Sequence, residues 1–194
     1  MIERVAFHIF YENKAAYYPH NDLRNLGMEY VTSDYFAIFD VDLFPSPMNT
    51  HDHIRAVMDR HPYLEDKLKN EKIFLVLPAF ETTTEISDQN ISWEDPTYPE
   101  TKEMVLEMSR NDQQLQMFYH SHPPAQNSTE YNRWKSNSTN ITYPITGDVN
   151  FGYEPYVICA IKHIPKFYLS FRGFGINKSS LYVEAQYTGY RFEF

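Results

Sequence analysis

Apolar runs and polar stretches alternate along the chain, and their lengths define the expected elements. Val5 to Tyr11 is rich in aromatic and β-branched residues and reads as a strand. Tyr17-Tyr18-Pro19 then punctuates, and Asn21 or Asp22 is placed to cap a helix carrying Leu23, Leu26, Met28 and Tyr30, with Thr32-Ser33-Asp34 ending it. Tyr35-Phe36-Ala37-Ile38-Phe39 is a near-continuous apolar run, as expected of a strand buried on both faces, and it leads straight into Asp40. Pro45 and Pro47 follow, then a polar helix from about His51 to Asn70, then a second buried strand, Ile73-Phe74-Leu75-Val76-Leu77-Pro78. Strand, helix, strand, helix, strand in this order predicts a parallel α/β architecture.

Beyond Glu81 the chain turns polar through Asp95 and reads as a surface loop. Pro99-Glu100 opens a short helix containing Met104, Val105, Leu106 and Met108, and His120 to Tyr143 reads as a polar, irregular excursion. Strands are expected near Tyr156 to Ile161 and Tyr190 to Phe194. With no internal repeat or linker, residues 1–194 read as a single domain.

Composition narrows the function classes. A chain that is 42% hydrophobic and 16% aromatic can bury a sizeable core, which excludes disorder. A formal charge of -9 and the lack of any basic run argue against nucleic acid as a partner. Cys159, the sole cysteine, lies in the apolar run Tyr156-Val157-Ile158-Cys159-Ala160-Ile161, so it reads as a core thiol and rules out an intrachain disulfide. No stretch approaches the length of a membrane span, and Met1-Ile2-Glu3-Arg4 lacks the apolar core of a signal peptide. Asn-x-Ser/Thr sequons begin at Asn90, Asn127, Asn137, Asn140 and Asn177, and they matter only in the secretory pathway.

The candidate chemistry centres on Asp40-Val41-Asp42. In an extended chain residues two apart face the same side, so Asp40 and Asp42 would present two carboxylates together while Val41 points into the core. Mg²⁺ or Mn²⁺ suits such a platform, because these ions take a few carboxylates plus substrate phosphates. Parallel sheets place ligands beyond the carboxyl ends of their strands, where this pair falls. A turn acid beside a capping acid is the structural alternative. Phosphohydrolases with a nucleophilic first Asp share the arrangement but carry Thr or Val two residues after the second Asp, where this chain has Phe44.

Several segments in the same order resemble one family nearly end to end. They are Tyr18-Pro19 with Leu23-Arg24-Asn25, Asp40-Val41-Asp42 with Leu43-Phe44-Pro45, Leu77-Pro78-Ala79-Phe80-Glu81-Thr82, Phe118-Tyr119-His120, Trp134, Glu154-Pro155-Tyr156, and Gly173-Phe174-Gly175 with Asn177-Lys178. On these residues the chain resembles the glucuronyltransferase domain of LARGE-type glycosyltransferases and the related β-1,4-glucuronyltransferase. That resemblance implies an α/β fold of the GT-A, Rossmann-like type. It also implies a Mn²⁺ (or Mg²⁺) site, a UDP-sugar donor such as UDP-glucuronate, a glycan or glycoprotein acceptor as in protein O-mannosyl glycan elongation, and a Golgi lumenal type II membrane protein anchored upstream of this chain.

Carried over by position, Asp40 and Asp42 would hold the metal, and Arg24 and Asn25 would lie beside the nucleotide, where an arginine can grip phosphate or carboxylate with two parallel hydrogen bonds. Asn177 and Lys178, after two glycines, would approach the donor, with Lys178 offsetting charge; an ordinary glycine turn is the alternative, and a glycan on Asn177 would be incompatible with the site role. Arg24 reads also as a helix-surface cation. The implied reaction is an inverting displacement in which a carboxylate deprotonates the acceptor hydroxyl, with Glu81 and Glu154 as candidate bases. Glu81 also suits a capping or loop-anchoring role, Glu154 a hydrogen-bonded core carboxylate, and His120 a structural role or a substrate contact.

The chain also departs from that family. Relatives have strands before the equivalent of Val5 and, after the equivalent of Phe194, a His-x-Pro-His-like segment that supplies another metal ligand, so the resemblance implies a fold truncated at both ends. Gln126 stands where relatives tend to have His, and Ile176 where LARGE-type enzymes have Trp. The alternative function is therefore a catalytically inactive sugar- or partner-binding relic of the fold.

Overall fold

The structure, a computed structural model, describes residues 9, 18–47, 49–83, 98–110, 114–137, 141–147, 149–173 and 175–194. In chain order the elements are α1 (His20–Glu29), β1 (Tyr35–Ala37), α2 (Thr50–Arg60), α3 (Pro62–Asn70), β2 (Ile73–Leu77), β3 (Phe80–Thr82), α4 (Lys102–Met108), β4 (Leu115–Met117), α5 (Tyr131–Ser136), β5 (Tyr156–Ala160), α6 (Ser179–Tyr187) and β6 (Arg191–Glu193). The strand expected at residues 5–11 and most of the polar loop after Glu81 lie outside the described residues.

Among the described residues the main sheet has four strands in the order β1-β5-β2-β6, and it is mixed, which corrects the parallel architecture expected from the element order. β2 and β6 are parallel, but β5 runs antiparallel to both β1 and β2 and separates them. Strand alternation divides the core in two. Phe74, Val76, Val157 and Cys159 face one side, where Tyr182 and Ala185 of α6 cover them. Ile73 and Ile158 face the other, with Met58 of α2 and Leu68 of α3. Helices therefore shield both faces, and Cys159 is the buried core thiol expected.

Local chemistry explains where elements begin and end. The single helix expected over residues 51–70 is two, because Pro62 lacks an N–H and pushes His61 out of helical geometry (φ -133°, ψ 68°), while serving well as the first residue of α3. The apolar run after Tyr35 pairs only as far as Ala37 ↔ Ile158, its side chains are half-buried and Phe39 is exposed; β1 has no partner on its outer side among the described residues, so it is not a strand buried on both faces. α1 starts one residue before the expected cap, and the Asn21 amide donates instead to the Tyr168 carbonyl, at 2.9 Å. Residues 120–137 contain two 3-10 turns and α5 rather than irregular chain alone. Among the described residues no helix is long and apolar enough to cross a membrane.

Candidate functional site

After β1 the chain does not continue extended. The Leu43 N–H donates to the Asp40 carbonyl at 3.1 Å and closes a turn over residues 40–43. Val41 is at the tip of this turn and fully exposed, which corrects the core position expected for it. Asp42 is exposed and lines the adjacent cavity, while Asp40 is directed inward.

Asp40 is met there by two groups from distant parts of the chain. Its Oδ2 accepts from the Tyr156 hydroxyl at 2.6 Å and from the Lys178 ammonium at 2.8 Å. Tyr156 starts β5, and Lys178 immediately precedes α6, with its Nζ 4.2 Å from the centroid of the Tyr156 ring, a cation-π contact. Burial works against the Asp40 charge, but Lys178, the Tyr156 hydrogen bond and the more distant Arg24 outweigh it and hold this carboxyl below the usual range. Burial pushes the Tyr156 phenol far above its ordinary range, and the bond to Asp40 and the charges of Asp40 and Asp42 add to the effect. Tyr156 therefore keeps its proton and acts as a permanent donor.

The remaining expected donor-site residues build the support for Lys178. Arg24 donates from one guanidinium nitrogen to Asn177 Oδ1 (2.7 Å) and Asn21 Oδ1 (3.0 Å), and its guanidinium lies 5.3 Å from the Phe167 ring centroid. The Asn177 amide in turn donates to the Gly173 carbonyl at 2.6 Å. Asn25 uses its whole amide on the Phe167 backbone, donating to the carbonyl and accepting from the N–H at 2.8 Å each. α1 thus fastens the segment that carries Lys178. Gly173, Gly175 and Ile176 in that segment have φ of 80°, 87° and 59°. For the β-branched Ile176 this is a strained geometry, retained where surrounding contacts over-determine it. Asn177 is buried, so a glycan there is incompatible with this arrangement.

A cavity of about 520 Å³ lies beside the acidic turn, with Tyr156 and Asp42 in its wall and Phe44, Phe80, Phe118 and Trp134 among its aromatic lining. Glu81 also faces it, from β3 rather than from the loop after a strand. Its carboxylate accepts from Gln116 Nε2 (3.0 Å) and from the backbone N–H groups of Tyr119 (3.2 Å) and His120 (3.1 Å). The loop-anchoring role weighed for Glu81 is therefore present, and His120 is tied to it through its backbone. Glu154 does not line the cavity; its backbone N–H donates to the Ala125 carbonyl at 2.9 Å, and its carbonyl accepts from the fully buried Gln126 at 3.0 Å.

The structure thus brings Asp40, Lys178, Asn177 and Arg24 together, places Asp42 and Glu81 on the neighbouring cavity, and leaves Glu154 apart from it. Tyr156 was not among the residues expected to act at the site. Two signals set it apart among 16 tyrosines, its place at the start of an apolar strand and its membership of the Glu154-Pro155-Tyr156 segment that carries the family resemblance, but neither assigns it a contact with Asp40. Among the described residues no group of three or more His, Cys, Asp or Glu is arranged to hold a metal.

An inward-facing acid just beyond a strand, a buried cation on it and an aromatic cavity beside it are thus set on a mixed α/β domain. The family is given by comparison with known proteins. A family model described as "Glycosyl-transferase for dystroglycan" matches residues 3–194, and the chain belongs to that family. Mouse "Xylosyl- and glucuronyltransferase LARGE2" is 29% identical over 192 residues, covering 99% of this chain and 25% of its own length. Human "Xylosyl- and glucuronyltransferase LARGE1" is 27% identical over 188 residues (97% and 22%), and "Glycosyltransferase-like protein gnt14" of Dictyostelium discoideum is 27% identical over 174 residues (90% and 24%). The chain spans about a quarter of the length of these curated relatives.

Proposed function

We propose that this chain forms the donor-binding part of a metal-dependent inverting glycosyltransferase of GT-A type, which moves a sugar, glucuronate foremost, from a UDP-sugar to a glycan acceptor in protein O-mannosyl glycan elongation. The observation that carries the reading is the turn over residues 40–43, which sets Asp40 against a held cation and Asp42 against an aromatic cavity. Family membership supports glycosyl transfer, and aromatic faces with polar tips suit pyranose rings. The sequons support a Golgi lumenal site of action, and Asn127 among them is exposed.

The residues fit a Mn²⁺ or Mg²⁺ ion. Two carboxylates lie on one turn, the Asp42 carboxylate lines the cavity, and that of Asp40 is paired with the Lys178 ammonium at 2.8 Å, a partner that a diphosphate could take over. Asp40 and Asp42 would hold the ion, with phosphate oxygens completing its shell. The chemistry a bound ion supplies is neutralisation of charge on the departing diphosphate. Lys178 and Arg24 offer further positive charge to an anionic donor, while Asn177 holds Arg24 and Asn25 holds the backbone of Phe167, on whose ring Arg24 rests. Glu81 is the base favoured over Glu154, because it faces the cavity and Glu154 does not. It takes the acceptor hydroxyl proton as that oxygen bonds the anomeric carbon and the bond to the diphosphate oxygen breaks, inverting the configuration.

Calorimetric titration of UDP into the chain, with and without Mn²⁺, tests the assignment. Metal-dependent binding that Asp40→Asn abolishes is expected; equal UDP binding without metal refutes it. The second reading, a non-catalytic sugar-binding relic, draws on the lack of a third metal ligand among the described residues. It predicts UDP binding without transfer to any acceptor.

A further inference from the structure

Lys178 is not a surface lysine that happens to reach an acid. Its side chain is 5% exposed, its ammonium lies 2.8 Å from Asp40 Oδ2, and it rests on the Tyr156 ring. The backbone around it is held in place. Asn177 on one side is tied to Arg24 and Gly173, and Ser179 on the other is buried at the start of α6. The protein thus supplies Asp40 with a cation of its own.

That arrangement has a consequence for any second cation. A divalent ion approaching Asp40 meets an ammonium that shares the same carboxylate in a half-buried site, where repulsion between like charges is weakly screened. Metal can then be held only if the ammonium finds another partner or further negative charge arrives. A nucleoside diphosphate satisfies both conditions, since its phosphates ligate the metal and accept charge-assisted hydrogen bonds from lysine. We propose that Lys178 is the resident counter-ion of Asp40 and makes divalent-metal binding at the Asp40-Asp42 turn conditional on a diphosphate. Metal and nucleotide would then load together, and neither would be retained alone. This rests on the metal-nucleotide reading of the site given above.

The test is a titration of the chain with Mn²⁺, following free Mn²⁺ by its electron paramagnetic resonance signal, with and without UDP. In the unsubstituted chain UDP is expected to tighten Mn²⁺ binding by at least about a hundredfold. Lys178→Met keeps the length of the side chain and removes the charge, so it should bind Mn²⁺ alone about tenfold or more tightly than the unsubstituted chain. Its gain from UDP should shrink, whereas Lys178→Arg should retain the unsubstituted behaviour. Equal Mn²⁺ affinity in Lys178→Met and the unsubstituted chain overturns the inference. That outcome leaves the metal-nucleotide site itself standing so long as UDP still tightens Mn²⁺ binding in the unsubstituted chain, because the coupling of the two ligands is reciprocal. UDP binding that ignores Mn²⁺ removes that underlying reading, and the inference with it.

Discussion

Replacing Lys67 by Met should destabilise the protein well beyond the usual effect of losing an ion pair. Lys67 on α3 reaches across to β6, where its ammonium donates to both carboxylate oxygens of Glu193 at 2.8 Å each. The pair is asymmetric in exposure: the Glu193 side chain is 6% exposed and that of Lys67 is 32%. An exposed pair contributes about 0–1 kcal/mol, but removing one partner of a buried pair costs about 3–5 kcal/mol because the remaining charge is left uncompensated. Water reaching the lysine side of this pair lowers the expected cost to roughly 2–3 kcal/mol. The double variant Lys67→Met, Glu193→Leu removes both charges and should recover most of that loss, since an apolar pair of similar volume replaces a desolvated one. Urea denaturation followed by circular dichroism measures both. With a slope of about 2 kcal/mol per molar, Lys67→Met should lower the midpoint by about 1 M. A single variant within about 0.5 kcal/mol of the unsubstituted chain, or a double variant less stable than the single, would refute the reasoning.

Two further outcomes follow from the core and from one helix start. Glu130 begins α5 at φ 55°, and its carboxylate accepts from Arg133 at 2.9 Å and from the Thr146 N–H at 3.2 Å. Burial opposes its charge, but Arg133 and Thr146 outweigh this and hold its pKa below the ordinary carboxylate value. Its stabilisation is therefore fully present above the unfolded pKa of about 4.3 and is lost as pH falls through the lower folded value. The stability difference between the unsubstituted chain and Glu130→Gln should accordingly shrink between neutral pH and about pH 3; a difference that grows on acidification contradicts the sign. Phe74 is fully buried, with ring centroids 4.6 Å from Tyr190 and 5.2 Å from Phe192. Phe74→Ala should cost about 3–5 kcal/mol, measured by urea denaturation, and a loss under 1 kcal/mol would show that the aromatic cluster collapses around the gap.

How much of this was legible in the sequence depends on how local its cause is. β2 and β5 were readable because their apolar runs are buried on both faces, with Phe74 and Val76 packing to one side and Ile73 to the other. The run after Tyr35 looked the same, yet it leaves the ladder at Ala37, and no pattern within the run shows where the pairing stops. Asn21 was a sound helix cap by propensity, but a tertiary partner, the Tyr168 carbonyl, claimed its amide. Insertion of β5 between β1 and β2 depends on a segment far along the chain and could not be seen in the order of elements.

The site shows the same division more sharply. Asp40-Val41-Asp42 was recognisable as an acidic motif, but its assumed period of two failed because one backbone hydrogen bond, from Leu43 to Asp40, turns the chain and exposes Val41. The charge state of the motif was further out of reach, because the group that sets it lies 138 residues away. Lys178 was read as a charge offered to a donor, whereas the fold presents it first to Asp40. An Asp-x-Asp motif therefore shows where carboxylates are, but their availability to a metal depends on what the rest of the fold has already placed against them. Here Asp42 faces the cavity while Asp40 is engaged by an ammonium and a phenol, so the two acids are unequal. On the proposed metal-nucleotide reading, ligand would change the partner of one while meeting the other directly, and that inequality would tie metal binding at the turn to the strained segment that carries Lys178.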